Sequence, residues 1–189
     1  MPKNARQRPI VVIGDVHGLT TWKDIVKIHR GSQFVFLGDY CDPYEDIEPD
    51  ELIKNLRSII QFKKRHPNDV ILLLGNHDMH YLSEDFVTST RYDERIAPRI
   101  KRILTSNRDL FQYAWQQGKM LFTHAGVSDG WFRNDFMAIP VKTVPLRINS
   151  TIPHRNNSLL WEKLVFGEVG LTNMEESFGL TLTKPKTIL

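Results

Sequence analysis

The chain of 189 residues carries one cysteine, Cys41. No internal disulfide can form, and this usage fits a reducing compartment, so a cytoplasmic protein is expected. No apolar run approaches the length of a bilayer span, so no membrane-spanning helix is expected. Residues 1–8 are basic, but a strand-like segment and a Gly-Asp turn follow them instead of the apolar stretch of a signal peptide. Charge of one sign is also scarce. Lys and Arg number 25 against 22 Asp and Glu, a formal +3. That balance tolerates an anionic substrate without marking a nucleic-acid binder. The basic residues are scattered and lack the interleaved aromatics of a single-strand channel. Repeats, low-complexity tracts and linkers are absent, so a single domain over residues 1–189 is expected. Its hydrophobic content of 41% is enough for a packed core.

What the chain does have is four apolar runs, each ending on residues that can ligate a metal. Pro9-Ile10-Val11-Val12-Ile13 leads into Gly14-Asp15-Val16-His17-Gly18. Phe34-Val35-Phe36-Leu37 leads into Gly38-Asp39-Tyr40-Cys41-Asp42. Val70-Ile71-Leu72-Leu73-Leu74 leads into Gly75-Asn76-His77-Asp78, and Met120-Leu121-Phe122 into Thr123-His124-Ala125-Gly126. Short runs rich in β-branched residues and bounded by Gly or polar residues read as buried strands. The four strands thus deliver Asp, His and Asn to loops at their C-terminal ends, the edge where layered α/β proteins gather ligands.

Helical periodicity fills the intervals. Residues 20–29 place Trp22, Ile25, Val26 and Ile28 among polar neighbours, and Gly31 follows as a stop. Pro49 suits a first helical position. The helix after it carries Leu52, Ile53, Leu56, Ile59, Ile60 and Phe62 on one face and ends in Lys63-Lys64-Arg65. Residues 81–92 read as irregular, and 93–106 and 108–117 as two further helices, the second closed by Gly118. Pro140, Pro145 and Pro153 predict loop beyond Asn134, and Ser158-Leu159-Leu160-Trp161 begins a short apolar stretch. The order β-α-β-α-β-α-α-β predicts an α/β layered fold.

Mixed carboxylate, imidazole and amide-oxygen donors suit Mn²⁺, Fe or Zn²⁺ better than a thiolate metal, with Mn²⁺ the first choice. Two ions about 3.5–4 Å apart hold both the attacking and the leaving oxygen in a displacement at phosphorus and acidify a shared water. Cys41 is not needed as a nucleophile beside such a centre, although its place in the loop exposes it to oxidation. His29 and His66 fall at helix ends and read as structural, and His80 as a structural or rim histidine. Trp22, Trp115, Trp131 and Trp161 read as packing residues.

Taken together, these motifs resemble the calcineurin-like metallophosphoesterases, in particular the bacterial relatives of protein serine/threonine phosphatases. That family shows GD-x-HG, GD-x-x-DRG, GNH-[ED], a strand ending in HAG or HGG, and a late GH. The resemblance runs from residue 9 to about 131, and more weakly through Leu159-Leu160-Trp161. It implies a two-sheet β-sandwich flanked by helices, four-layered, with the metals at the C-terminal strand edge. It also implies two divalent ions. Asp15 and His17 would bind the first, Asp39 would bridge, and Asn76 and His124 would bind the second. His77 would be the general acid and Asp42 the carboxylate that orients it. The implied activity is phosphoester hydrolysis on a phosphorylated small molecule, nucleotide or protein.

Three positions depart from the family pattern. Pro43 stands where the phosphatase branch has the phosphate-holding Arg, leaving Arg91, Arg99, Arg133 and Arg155 as replacements. Asp78 replaces Glu in GNHE. No Gly-His follows Thr123-His124-Ala125-Gly126; the only later histidine is His154, after Pro153. The expectations are therefore a domain lacking its C-terminal ligand segment, substitution by His154, or a weakly held second ion. Two alternatives to a monoesterase stand beside it: a non-catalytic metal- or phosphate-binding scaffold, and a phosphodiesterase or dinucleoside polyphosphate hydrolase.

Overall fold

The computed structural model describes residues 8–83, 91–126 and 140–151. Four parallel strands, β1 (Ile10–Ile13), β2 (Gln33–Phe36), β3 (Val70–Leu73) and β4 (Phe111–Gln112), form one sheet in sequence order. Because all four run the same way, the loops that leave β1, β2 and β3 emerge on one edge.

The crossovers are helical. α1 spans Trp22–Ile28, α2 spans Pro49–Arg65, α3 spans Asn76–Leu82 and α4 spans Ala97–Ser106. α2 begins at Pro49, places Asp50 and Glu51 in its first turn and Lys63, Lys64 and Arg65 in its last. Both charge placements favour the helix dipole. Its buried stripe, Leu52, Ile53, Leu56, Ile59 and Ile60, packs into the main core with Phe34 and Phe36 of β2, Val70 and Leu72 of β3, and Ile100, Ile103 and Leu104 of α4. Alternate residues of the same strands, Val35, Leu37, Ile71 and Leu73, face the other way and form a second cluster with Phe122. α1 is shorter than the periodicity predicted, and Ile28 at its end is 75% exposed instead of packed.

Two segments differ from the sequence expectation. Residues 108–117 are not a helix. Arg108–Leu110 make one 3₁₀ turn, β4 follows, and β5 (Ala114–Gln117) pairs antiparallel with β6 (Met120–Thr123). Phe111, Tyr113 and Trp115 recur every second residue, a strand period. Gly118 is a hairpin turn residue with φ +60°, not a helix stop. The hairpin lies under the second face of the parallel sheet, where Trp115, Met120 and Phe122 meet Val35 and Ile71.

The second correction concerns the proline-broken region. Val144–Thr151 is a helix, α5, with Pro145 in its first turn, where no intrahelical N–H is missed. Val144 and Ile148, four apart, are buried. Asn149 binds the backbone where the chain passes between the sheets: its Oδ1 accepts from Tyr113 N (2.7 Å) and Ala114 N (3.0 Å), and its Nδ2 donates to Ala114 O (2.9 Å). Among the described residues no helix is long and apolar enough to cross a membrane. Trp131, Arg133, His154, Arg155 and Leu159-Leu160-Trp161 lie outside the described residues.

Candidate metal centre

Backbone hydrogen bonds hold the β1 loop to the β2 loop. The amides of Val16 and His17 donate to Asp39 O (3.1 and 2.7 Å), and Gly18 N donates to Tyr40 O. The carboxylate of Asp78, buried at the start of α3, accepts from Gly75 N (2.9 Å), Asp39 N (2.8 Å) and Tyr40 N (2.9 Å). One side chain thus ties the β2 loop to the β3 loop. Three non-glycine residues of these loops stand at positive φ: His17 (41°), Asp39 (52°) and Asp42 (58°). Such conformations cost on the order of 1–3 kcal/mol each and persist where their surroundings impose them.

The first loop is also fixed from below. Asn55, buried in α2, accepts from Trp22 Nε1 (3.0 Å) and donates to Gly18 O (2.9 Å) and Leu19 O (3.0 Å). Gly18 has φ +81°, a conformation that favours glycine, and a Cβ there would come within 2.8 Å of Leu52 Cδ1, which would have to shift.

All five sequence-predicted ligand residues converge. Asp15, His17 and Asp39 offer ligand atoms within 4.8 Å of one another. Asp39 Oδ2 lies 3.9 Å from His17 Nε2 and 3.4 Å from His124 Nε2, between the two imidazoles. His124 Nε2 is 2.9 Å from Asn76 Oδ1, and His124 Nδ1 is 3.8 Å from Asp15 Oδ1. The donor chemistry fits a cation. His17 Nδ1 sits 3.0 Å from the carbonyls of both Cys41 and Asp42, and His124 Nδ1 3.0 Å from Leu37 O. Carbonyls only accept, so in each neutral ring this network assigns the proton to Nδ1 and leaves the Nε2 lone pair facing the carboxylates, as a metal ligand requires.

Electrostatics agree with an ion in the cradle. Burial, then the charge of Asp15, pushes the Asp39 carboxyl up to about 7. Burial, then Asp39, pushes Asp78 up to about 7 against its N–H donors. Burial also lowers His17. Carboxylates packed this closely resist ionisation unless a positive charge joins them.

The predicted acid pair is also together. His77 Nδ1 and Asp42 Oδ2 are 2.8 Å apart, and the His77 ring meets the His17 ring edge-on at 5.1 Å. Despite burial, hydrogen bonds from His77, His80 and Tyr81 hold the Asp42 carboxyl down at about 2. The hydrogen bond to Asp42 raises His77.

Several sequence expectations change here. His80 is not a rim residue: it is buried, with Nε2 2.9 Å from Asp42 Oδ2. Cys41 is fully buried, and burial pushes its thiol well up, which removes the expected exposure to oxidation. Asp78, read as an ordinary variant of Glu, is the tie between two loops. Asn55 carried no local signal; the spacing of His80 and Tyr81 from His77, three and four residues on a helix, could have marked those two. His29 and His66 lie where they were expected, at the ends of α1 and α2.

Of the candidate arginines, Arg99 is engaged with Asp50 at 2.8 Å. Arg91 lies in the cleft that Asp42 and Pro43 also line. Its Nη1 donates to Pro43 O (3.1 Å), and its guanidinium lies 4.2 Å from the Tyr44 ring centroid. Tyr44 in turn meets the His17 ring edge-on at 4.7 Å.

Comparisons with known proteins agree with this geometry. The chain is 31% identical over 133 residues to the PP2A-like serine/threonine-protein phosphatase PPG1 of Candida albicans, covering 65% of this chain and 30% of that protein. It is 35% identical over 83 residues to a protein phosphatase 2A catalytic subunit of Dictyostelium discoideum, covering 40% and 24%. With the PP2A-like PPG1 of Saccharomyces cerevisiae it shares 28% identity over 88 residues, covering 42% and 22%. The chain therefore spans less than a third of the length of each of these relatives. The model of the calcineurin-like phosphoesterase family matches residues 8–185, so the chain belongs to the calcineurin-like phosphoesterases.

Proposed function

We propose that the chain hydrolyses phosphate monoesters with two divalent ions, Mn²⁺ first among them, and His77 as general acid. The observation that carries this reading is the adjacency of two donor sets: Asp39 between His17 and His124, and His77 bonded to Asp42 beside them. Asp15, His17 and Asp39 would hold one ion, and Asp39, Asn76 and His124 the other. The ions would supply positive charge to the phosphoryl oxygens and acidify the attacking water. As water attacks phosphorus, the bond to the leaving oxygen breaks and His77 donates its proton to that oxygen. Asp42 holds the imidazole in register and favours its protonated form.

Arg91 supplies the cation that the loop lacks at Pro43, with Tyr44 as its support. The substrate is a phosphorylated small molecule, nucleotide or protein. Residues 1–189 read as one phosphoesterase domain that lacks the C-terminal ligand segment, built as a two-sheet sandwich, four-layered with its helices, a reading supported by the β5–β6 hairpin beneath the parallel sheet. The single buried thiol of Cys41 fits a cytoplasmic setting.

A second reading, a scaffold that binds metal or phosphate without turnover, is motivated by Pro43 standing where the family has the phosphate-holding Arg, beside the Gly-His motif not found after His124. The His77–Asp42 pair argues the other way, since a scaffold has no use for an oriented acid. The test is Mn²⁺-loaded protein and its Asp39→Asn variant, assayed on p-nitrophenyl phosphate and on bis-p-nitrophenyl phosphate. Monoester turnover lost in the variant supports the proposal. Faster diester turnover moves it to a phosphodiesterase, and bound metal with no turnover on either ester moves it to the scaffold.

A further inference from the structure

Asp42 carries more than the orientation of His77. Its carboxylate is almost completely buried, accepts hydrogen bonds from His77 and Tyr81, and has the His80 imidazole in ion-pair contact. Oδ2 lies 2.8 Å from His77 Nδ1 and 2.9 Å from His80 Nε2, and Oδ1 accepts from the Tyr81 hydroxyl. All three come from α3, at positions i, i+3 and i+4, so a single helical face delivers them.

The donors differ in what they constrain. The torsion about Cβ–Cγ of an aspartate is soft. A carboxylate held only by His77 could turn, and the imidazole with it. Tyr81 on the opposite oxygen and His80 on the shared one fix the plane of the carboxylate. The two donors are themselves locked: the His80 ring meets Tyr81 edge-on at 4.4 Å and Tyr92 at 5.0 Å, and Tyr81 stacks on Tyr92 at 4.9 Å. Burial of Asp42 keeps water from replacing a lost donor. The cluster of Asp42, His77 and His80 has the composition of a cation site. The His77 hydrogen bond at 2.8 Å and the His80 contact at 2.9 Å already fill it.

We propose that His80 and Tyr81 are positioning residues that hold the Asp42 carboxylate, and through it the His77 imidazole, in line with the leaving-group oxygen. This rests on the phosphomonoesterase reading above and extends it to two residues outside the Asp15, His17, Asp39, Asn76 and His124 donor set. Its distinctive consequence is a dependence on the leaving group. A phenol that departs poorly needs a proton in the transition state, and an acidic phenol does not.

The test uses the full chain loaded with Mn²⁺ and three esters: phenyl, p-nitrophenyl and 2,4-dinitrophenyl phosphate. Tyr81→Phe and His80→Leu are expected to lower kcat on phenyl phosphate by about tenfold or more, a fraction of a general acid's usual contribution. They should leave kcat on the dinitrophenyl ester nearly unchanged and move KM little. His80→Gln, which keeps a donor near the Nε2 position, should restore most of the loss. Tyr81→Phe keeps the stacked ring and carries the test alone if His80→Leu does not fold. Equal loss on all three esters, or no loss on phenyl phosphate, overturns the positioning role. A wild-type chain that hydrolyses none of the three overturns the phosphomonoesterase reading beneath it.

Discussion

Gly75 lies so close to Asp39 that a side chain could not stand between them. A Cβ on Gly75 would fall inside van der Waals contact with Asp39 Oδ1 and lie 2.8 Å from both Asp39 Cγ and His124 Cε1. The β3 loop can therefore bring Asn76 and His77 to the cradle only if its first residue is a glycine. Gly75→Ala should displace the shared carboxylate and lower Mn²⁺ affinity by about 10–100-fold, the scale of a disturbed supporting shell. Overpacking should also cost about 1–3 kcal/mol of stability. Titration calorimetry, with far-ultraviolet dichroism to show that the fold persists, measures the first effect, and urea unfolding the second. Unchanged affinity would mean the cradle is looser than its geometry.

Asn55 makes a separate prediction about stability. Replacing it with Ala leaves Trp22 Nε1, Gly18 O and Leu19 O without this partner. Unsatisfied buried polar groups cost about 1–3 kcal/mol each, so Asn55→Ala, which strands three, should destabilise the chain by roughly 3 kcal/mol or more and loosen the loop bearing Asp15 and His17. Urea unfolding midpoints at constant slope measure the first effect. A change under about 0.5 kcal/mol, typical of an exposed substitution, would contradict the assignment.

The raised carboxyl of Asp39 ties metal binding to pH. Its value in the folded, metal-free chain, about 7, lies above the ordinary 3.8. The folded state then keeps a proton that the unfolded chain releases. The resulting stabilisation is complete below 3.8 and is lost as pH rises through about 7. Metal replaces that proton, so binding should release protons below about pH 7. Thermal melts should show Mn²⁺ raising the melting temperature more at about pH 8 than at about pH 5. Metal-free Asp39→Asn, lacking the titrating group, should lose the part of the pH dependence that wild type shows across this window. Equal Mn²⁺ stabilisation at both pH values would contradict this account.

Arg91 should act on binding. A charge-assisted hydrogen bond contributes about 1.5–3 kcal/mol, so Arg91→Ala should raise KM for a monoester by roughly 10–100-fold while changing kcat less. Steady-state kinetics read this directly. An unchanged KM would return the role to another cation.

The sequence showed three of the four parallel strands, β1, β2 and β3, because each is a short apolar run cut off by Gly at a loop; it missed β4, and its fourth run, Met120–Phe122, lies in the antiparallel hairpin. It also showed which residues meet at the site, because Asp15, Asp39, Asn76 and His124 each close such a run. What it hid is tertiary. Residues 108–117 read as a helix because strands of two and four residues, joined through Tyr113, give little room for a period to register. Pro145 read as a break, although a first-turn proline begins a helix comfortably. Asp78, His80, Tyr81 and Asn55 act across 33 to 39 positions of chain, and no local pattern announces bonds of that separation.

The central claim is that this donor set makes a metal-dependent phosphatase whose acid is His77. The most direct measurement is the initial rate of p-nitrophenyl phosphate hydrolysis by metal-stripped chain as Mn²⁺ is titrated, with His77→Asn alongside. The account predicts no rate without metal, a rate that saturates with Mn²⁺, and a kcat about 10²–10⁴-fold lower in the variant. A folded chain that binds Mn²⁺ and shows no turnover at saturation, or a variant as fast as wild type, would contradict it.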